Sequence, residues 1–163
     1  MVEFKLATED DISQIQDIAA KTWPVAYGQI LSAAQIEYML DLFYSAAALK
    51  KSMESQDYIF AINDGVIVGF CGIEHNFGSV PTTRIHKLYI LPEAQGLSVG
   101  RKFIDYITEI ALERFSLKLS LNVNKFNSAF NFYEKIGFKT VKKEIIDIGN
   151  NYVMDDFVME KDI

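Results

Sequence analysis

The chain has 163 residues, and half of them are hydrophobic, which is enough to build one core and predicts a single domain over residues 1–163. A formal charge of −6 disfavours the basic face that nonspecific nucleic-acid binding needs, so we expect no nucleic-acid partner. No apolar run reaches membrane-spanning length, so we expect no membrane contact either. The segment Met1 to Lys5 lacks a signal-peptide pattern, and the lone Cys71 excludes an internal disulfide, so we expect a cytoplasmic protein.

The first part of the chain predicts one strand followed by helices. Val2–Ala7 alternates like a strand, and Thr8 with the acidic residues after it marks a helix start. Apolar residues then recur at helical spacing until Pro24, which is expected to end or bend the helix. Ser32–Gln35 has a capping-box pattern and opens a second helix, and Ala46–Met53 continues as another helical piece.

From Tyr58 onward the periodicity changes and predicts strands with two intervening helices. Asn63–Gly65 and Gly149–Asn151 have the composition of hairpin turns. The predicted strands are Tyr58–Ile62, Val66–Ile73, Arg84–Leu91, Leu117–Val123, Phe138–Ile148 and Tyr152–Met159. The predicted helices are Ser98–Phe115 and Ser128–Ile136. This order predicts a layered α/β (α+β) domain with a mixed sheet flanked by helices.

A candidate phosphate-binding loop lies directly after the strand that ends at Pro92. Gln95–Arg101 contains Gly96 and Gly100, which permit close backbone approach, and it leads into a helix whose first N–H groups favour an anion. Taken alone, the loop is equally consistent with an ordinary helix cap at Ser98. A dinucleotide-binding fold is disfavoured because the loop follows a mid-chain strand rather than opening a βαβ unit.

A second motif, Asn127–Phe138, follows about thirty residues later. It predicts a short helix ending at Gly137, with Asn127 as a cap and Tyr133 one turn before the end. By itself Tyr133 is more often a core aromatic residue, although a positioned phenol can also protonate a leaving group.

In order and spacing, these two motifs resemble those of the GNAT superfamily of acyl-CoA-dependent N-acyltransferases. The resemblance covers about Ile85 to Phe138 and rests on Gln95-x-x-Ser98-x-Gly100 and on the Asn127 to Phe138 motif. Ser98 stands where the family usually has a glycine. The resemblance implies a mostly antiparallel central sheet with splayed middle strands, and it implies that two copies can pair as a homodimer.

For the site, the resemblance implies that acetyl-CoA binds between the splayed strands as co-substrate, without a metal. Its pantetheine arm would pair with a strand like an added neighbour, its pyrophosphate would lie on the loop, and Tyr133 would protonate the departing thiolate. The implied cofactor-binding residues are Leu88, Tyr89, Ile90, Gln95, Gly96, Leu97, Ser98, Val99, Gly100, Arg101 and Asn127.

The sequence leaves the general base and the acceptor site open. Glu74 and His86 are equal candidates for the base, and a water chain is the alternative. Trp23, Tyr27 and Asp155 are candidate acceptor-binding residues, because aromatic rings and a carboxylate attract an ammonium group. Packing or solvent exposure would explain the same three residues.

We therefore predict an N-acetyltransferase in which a primary amine attacks acetyl-CoA directly in a ternary complex. The acceptor is expected to be a small molecule, either polyamine-like or an amino sugar. Peptide N-termini or lysines are the competing acceptors, and a non-catalytic acyl-CoA-binding module is the alternative from another functional class.

Overall fold

The computed structural model describes residues 1–163 and places seven strands in one sheet with helices on both faces. The strands are β1 (Val2–Leu6), β2 (Asp57–Asn63), β3 (Val66–Glu74), β4 (Thr82–Ile90), β5 (Lys118–Asn124), β6 (Lys139–Gly149) and β7 (Tyr152–Asp162). The helices are α1 (Ile12–Tyr27), α2 (Ala33–Tyr44), α3 (Ala46–Ser52), α4 (Val99–Glu113) and α5 (Ala129–Lys135). Short 3₁₀ turns at Glu9–Asp11 and Pro92–Ala94 precede α1 and α4.

The strand order is β1-β2-β3-β4-β5-β7-β6, and every neighbouring pair is antiparallel except β4 and β5. This confirms the predicted layered α/β class and its mixed, mostly antiparallel sheet. The single parallel pair requires a crossover, which α4 supplies between β4 and β5.

Both predicted hairpin turns place consecutive residues at positive φ. Asp64 and Gly65 have φ of 50° and 81°, and Asn150 and Asn151 have φ of 54° and 62°. Two-residue turns of this kind match the twist of antiparallel strands, which is why Asn, Asp and Gly occupy them.

Each face of the sheet carries its own hydrophobic core. The α4 and α5 face buries the apolar stripe of α4, which is Phe103, Ile104, Ile107 and Ala111. The α1 to α3 face buries Ile15, Trp23 and Leu49 from the helices against aromatic side chains of β2 and β3. Tyr133 belongs to the first core and Trp23 to the second.

Two helix predictions differ from the structure in their details. Pro24 does not end α1, which continues to Tyr27, and the Pro24 carbonyl accepts a hydrogen bond from Gly28 N at 2.9 Å. Ser32 caps α2 by accepting from Gln35 N at 3.1 Å. The Gln35 side chain does not return the bond; it donates to the Val153 carbonyl at 3.1 Å and so ties α2 to β7.

The middle strands separate beyond Ile85. β4 pairs with β5 only over Thr82–Ile85, whereas its second half continues to pair with β3. The register of β3 against β4 shifts at His86, which is the local irregularity expected where a strand bends away from its neighbour. The confirmed splay leaves the β5-facing backbone groups of residues 86–90 without a strand partner.

Candidate active site

The gap between β4 and β5 opens into a cleft of about 760 Å³, here named the splay cleft. Its walls are Ile85–Ile90 of β4, Leu121–Val123 of β5, the loop before α4, and α5 with the residues before it. In an antiparallel ladder alternate residues direct their N–H and C=O groups to one side, so half of these groups on β4 face the cleft unpaired. The cleft therefore offers a strand-like edge to an extended ligand.

The loop at one end of the splay cleft is built to receive an anion. Gly96 has φ of 88° and open space where a Cβ would stand, and the Ser98 N–H and those of the first turn of α4 have no intrahelical partner. Arg101 adds a guanidinium group at the rim. Unpaired N–H groups at a helix N-terminus form a ready anion site.

The structure explains what glycine does at position 100 and why serine is unusual at position 98, which the sequence alone does not show. A Cβ on Gly100 would lie 3.3 Å from Ile90 Cδ1 and 3.3 Å from Phe132 Cζ, so this glycine makes room for side chains rather than for phosphate alone. Ser98 has φ of 59°, a left-handed conformation that glycine adopts without strain. Its side chain makes no capping hydrogen bond, so the alternative of an ordinary serine cap fails.

Tyr133 lies on α5 and lines the splay cleft. Its ring packs between Phe132 and Phe138, with centroids 5.3 and 5.5 Å away, and its hydroxyl has no hydrogen-bond partner in the protein. Burial raises the pKa of this phenol well above its usual range, so the hydroxyl keeps its proton at neutral pH. A protonated phenol therefore lines the cleft.

Asn127 caps the start of α5 with its side chain. Its Oδ1 accepts a hydrogen bond from Ala129 N at 2.9 Å, which is the predicted cap. The residue lines the splay cleft, where its side chain lies within reach of the Tyr27 hydroxyl.

His86, at the irregularity of β4, forms a hydrogen-bonded pair with Glu74 at the end of β3. His86 Nε2 lies 3.0 Å from Glu74 Oε1, and both side chains are about three-quarters buried. Burial lowers the pKa of His86, while the hydrogen bond to Glu74 acts against this shift, so the imidazole is neutral at pH 7. His75, in contrast, bonds Thr83 Oγ1 at 2.9 Å and lines neither cavity described here.

A second cavity of about 560 Å³, here named the aromatic pocket, lies between the helices α1 to α3 and the β6–β7 hairpin. Trp23 packs against Tyr27, Tyr44 and Tyr89 with ring centroids 4.6 to 5.8 Å apart. The Tyr27 and Tyr89 hydroxyls are 2.9 Å apart. The two cavities share one wall, formed by Tyr27, His86, Lys87, Tyr89 and Asn122.

A polar network crosses the aromatic pocket at Asn122. Arg84 Nη2 donates to Asn122 Oδ1, and Asn122 Nδ2 donates in turn to Asp156 Oδ2 and Glu144 Oε2, each at 3.3 Å. Asp156 is buried, and burial raises the pKa of its carboxyl group. The network holds one guanidinium against two carboxyl groups.

A family model described as an acetyltransferase (GNAT) domain matches residues 29–155. The chain belongs to the GNAT acetyltransferases. A spermidine N(1)-acetyltransferase from Thermoplasma acidophilum is 26% identical over 98% of this chain and 96% of its own length. A 5-NmdU N-acetyltransferase from Pseudomonas phage PaMx11 is 31% identical over 74% of this chain and 86% of its own length.

The fold of this acetyltransferase also matches solved structures. The crystal structure of the PaiA N-acetyltransferase from Thermoplasma acidophilum in complex with coenzyme A has a TM-score of 0.83 and 24% identity, covering 100% of this chain and 99% of that one. At that identity the likeness supports the fold, and the family assignment rests on the sequence matches.

The structure brings most of the predicted site residues of this acetyltransferase together. Every predicted cofactor-binding residue except Leu97 lines the splay cleft. The Leu97 side chain is half exposed outside it, and its N–H donates to the Ala94 carbonyl at 3.4 Å. Trp23 and Tyr27 line the aromatic pocket, but Asp155 does not, because it points to the other face of β7 and pairs with Lys125. The carboxyl group in the pocket is that of Asp156.

Two charged residues of the aromatic pocket, Arg84 and Lys87, were not predicted as site residues from the sequence. The available signal was charge within a strand: Arg84, His86 and Lys87 interrupt an otherwise apolar β4. In the described chain no three His, Cys, Asp or Glu residues come together as a metal site. No helix combines the length and the apolar character needed to cross a membrane.

Proposed function

We propose that this acetyltransferase moves the acetyl group of acetyl-CoA to a primary amine of a small molecule. The single observation that carries the proposal is the shared wall between the splay cleft and the aromatic pocket. Ligands in the two cavities would both border these shared residues, so they could meet there in a ternary complex, as direct attack requires.

The chain's own groups fit acetyl-CoA. The unpaired N–H groups at the start of α4 suit a pyrophosphate, and the free edge of β4 suits the amides of a pantetheine arm. Acetyl-CoA supplies an activated acyl group and a thiolate leaving group. N–H groups of Leu88 to Ile90 that face the cleft would polarise the thioester carbonyl.

Proton transfer falls to two groups, His86 and Tyr133, that both line the splay cleft. His86, oriented by Glu74, would take the proton that the amine loses when its nitrogen bonds to the acetyl carbon. Tyr133 would give its proton to the sulfur as the carbon–sulfur bond breaks. The cycle closes when His86 releases its proton to solvent and Tyr133 regains one from solvent, so the enzyme keeps no net proton.

The small-molecule acceptor is supported by the dimensions of the aromatic pocket. About 560 Å³ lies within the range of small-ligand sites, and helices and the β6–β7 hairpin surround it. The relatives named for spermidine and 5-NmdU acetylation support the same class. Polyamine-like amines and amino sugars are the first acceptors to test, and peptide N-termini and lysines are the second class.

The experiment is thiol release from acetyl-CoA with a panel of polyamines, amino sugars, amino acids and short peptides. Each amine is tested with the wild type, with Tyr133→Phe, and with Tyr106→Phe as matched control, because Tyr106 packs on Phe4 outside both cavities. We expect Tyr133→Phe to lower kcat by about a hundredfold and to leave the calorimetric Kd for acetyl-CoA unchanged. Tyr106→Phe should match the wild type in both measurements.

Two outcomes would contradict the proposal. Acetyl-CoA binding without amine-dependent release would support a non-catalytic acyl-CoA-binding module. Amine-dependent release that Tyr133→Phe leaves intact would assign the proton donor elsewhere.

A further inference from the structure

Lys87 is a partly buried cation of β4 that lines both the aromatic pocket and the splay cleft. Its Nζ lies 5.3 Å from the centre of the Tyr58 ring and 5.8 Å from that of Tyr44. It takes part in no salt bridge and no hydrogen bond within the protein. Burial lowers the pKa of Lys87 to about 8, which leaves the ammonium form dominant at neutral pH.

The other cations around the aromatic pocket have polar partners in the protein. Arg84 donates to Asn122, which in turn donates to Asp156 and Glu144. Lys51 pairs with Glu54 at 3.1 Å and is largely exposed. Lys87 therefore remains the lining cation with neither a hydrogen bond nor an ion pair in the protein, and its polar surroundings are two aromatic rings.

The surroundings of Lys87 also leave a polar atom unsatisfied. Gln56 Oε1 is buried without a hydrogen-bond partner. Gln56 Oε1 and the Tyr58 ring both lie against Gly72. Gly72 is the β3 partner of Lys87. Gln56 Oε1 is itself an acceptor and needs a donor, but Trp23 Nε1 and Arg84 Nε in the same pocket are buried N–H donors without a partner. Because buried polar groups are normally paired, these two donors together with Lys87 indicate a missing ligand that accepts hydrogen bonds.

We propose that Lys87 binds a carboxylate on the acceptor, so that the substrate is a small primary amine carrying a carboxylate rather than a polyamine. The inference rests on the proposed function and names its substrate class. A carboxylate would supply the counter-charge of Lys87, whereas the second ammonium of a polyamine would meet a like charge in a desolvated site. The amine end would lie towards Asn122, which also lines the splay cleft.

The test compares three tails on one amine scaffold: δ-aminovalerate, its amide, and cadaverine, which are anionic, neutral and cationic. An aromatic scaffold with the same three tails extends the series. We expect kcat/KM to favour the carboxylate over the amide by about ten- to hundredfold, the worth of one buried charged hydrogen bond. Lys87→Met should bring that ratio close to one, and Lys87→Arg should retain it. Lys50→Met, an exposed lysine outside the pocket, should leave it unchanged.

Binding gives a readout that does not depend on turnover. Trp23 is the only tryptophan and lines the aromatic pocket, so its fluorescence reports occupancy. We expect valerate to change Trp23 fluorescence in the wild type but not in Lys87→Met, and valeramide to have a weaker effect on both. A preference for cadaverine, a carboxylate preference that survives Lys87→Met, or no response of Trp23 to valerate would overturn the proposal. Absence of thiol release with any amine, while valerate still binds through Lys87, would instead reject the proposed function.

Discussion

The His86–Glu74 pair shows how one hydrogen bond sets the protonation state of a proposed base. Two effects of opposite sign act on the imidazole: burial lowers its pKa, and the carboxylate 3.0 Å away raises it. Burial is the larger effect, so the free base dominates at neutral pH, where an amine must lose a proton.

The sign of each effect yields a prediction for the pH profile. In the wild type, kcat/KM should fall as pH drops through the His86 pKa, which lies below the usual 6.5. Glu74→Gln removes the group that raises this pKa, so the fall should move to lower pH. His86→Gln should remove this titration and lower the rate near pH 7. An unchanged profile in both variants would indicate a water chain as base.

At this scale the sequence was informative where a motif carried the chemistry. Tyr133 and Asn127 were found from their positions in one motif, and the structure places both on the splay cleft. Asp155 was named for the acceptor site, but the pocket holds Asp156, because the sequence shows that a strand alternates between faces without showing which residues lie on which face. Lys87 was missed because a lysine in a strand gives no sign of whether its Nζ reaches water.

The backbone conformation of the loop before α4 favours glycine at position 98. Ser98 occupies φ of 59° and ψ of 22°, where a side chain costs about 1 kcal/mol relative to glycine. The resemblance identified the substitution, but only the backbone shows why glycine is usual there. The chain retains the serine although it makes no capping bond.

Ser98→Gly should raise the free energy of unfolding by up to about 1 kcal/mol, because glycine's own entropy cost offsets part of the gain. It should also tighten coenzyme A binding several-fold, because without a Cβ the backbone N–H groups of the loop can approach a phosphate more closely. Calorimetric Kd values and denaturant unfolding measure the two effects. Asn76→Gly is the matched control, since Asn76 has φ of 55° outside both cavities and should change stability alone. Weaker binding in Ser98→Gly would show that the serine hydroxyl donates to the ligand.

The splay is likewise a property of elements rather than of residues. β4 and β5 were both predicted as strands, and nothing in their composition marks Ile85 as the last paired residue. Separation follows from the irregularity at His86 together with the placement of β7 beside β5. Strand pairing is non-local, so the cleft had to be inferred from the family resemblance.

Across the whole molecule, the aromatic pocket joins segments far apart in sequence. Trp23 comes from α1, Lys87 from β4 and Asp156 from β7, and the Gln35 side chain fastens α2 to β7 along one wall. The helical layer and the last hairpin lie outside the firm resemblance, so the sequence predicted their structure without predicting that they enclose a cavity. The pocket also imposes a cost on the fold, because Lys87 is held there as an uncompensated cation.

That cost predicts how stability depends on pH. The folded pKa of Lys87, about 8, lies below the ordinary value of 10.5, so between these pH values the unfolded chain binds more protons and stability rises with pH. Below pH 8 the full penalty, on the order of 3 kcal/mol, opposes folding. Lys87→Met should therefore be the more stable protein at pH 7, with an advantage that shrinks as pH rises towards 10.

Urea unfolding of both proteins from pH 6.5 to 10 measures this difference. Buried tyrosines and Cys71 also titrate at high pH, but they are present in both proteins and cancel when one curve is subtracted from the other. A pH-independent difference would mean that Lys87 is solvated in solution and lacks the desolvated charge needed to select a carboxylate. Valerate should narrow the difference at pH 7 by stabilising only the wild type, because a ligand that binds the folded state raises its stability by mass action. Stability and substrate choice would then depend on the same ammonium group.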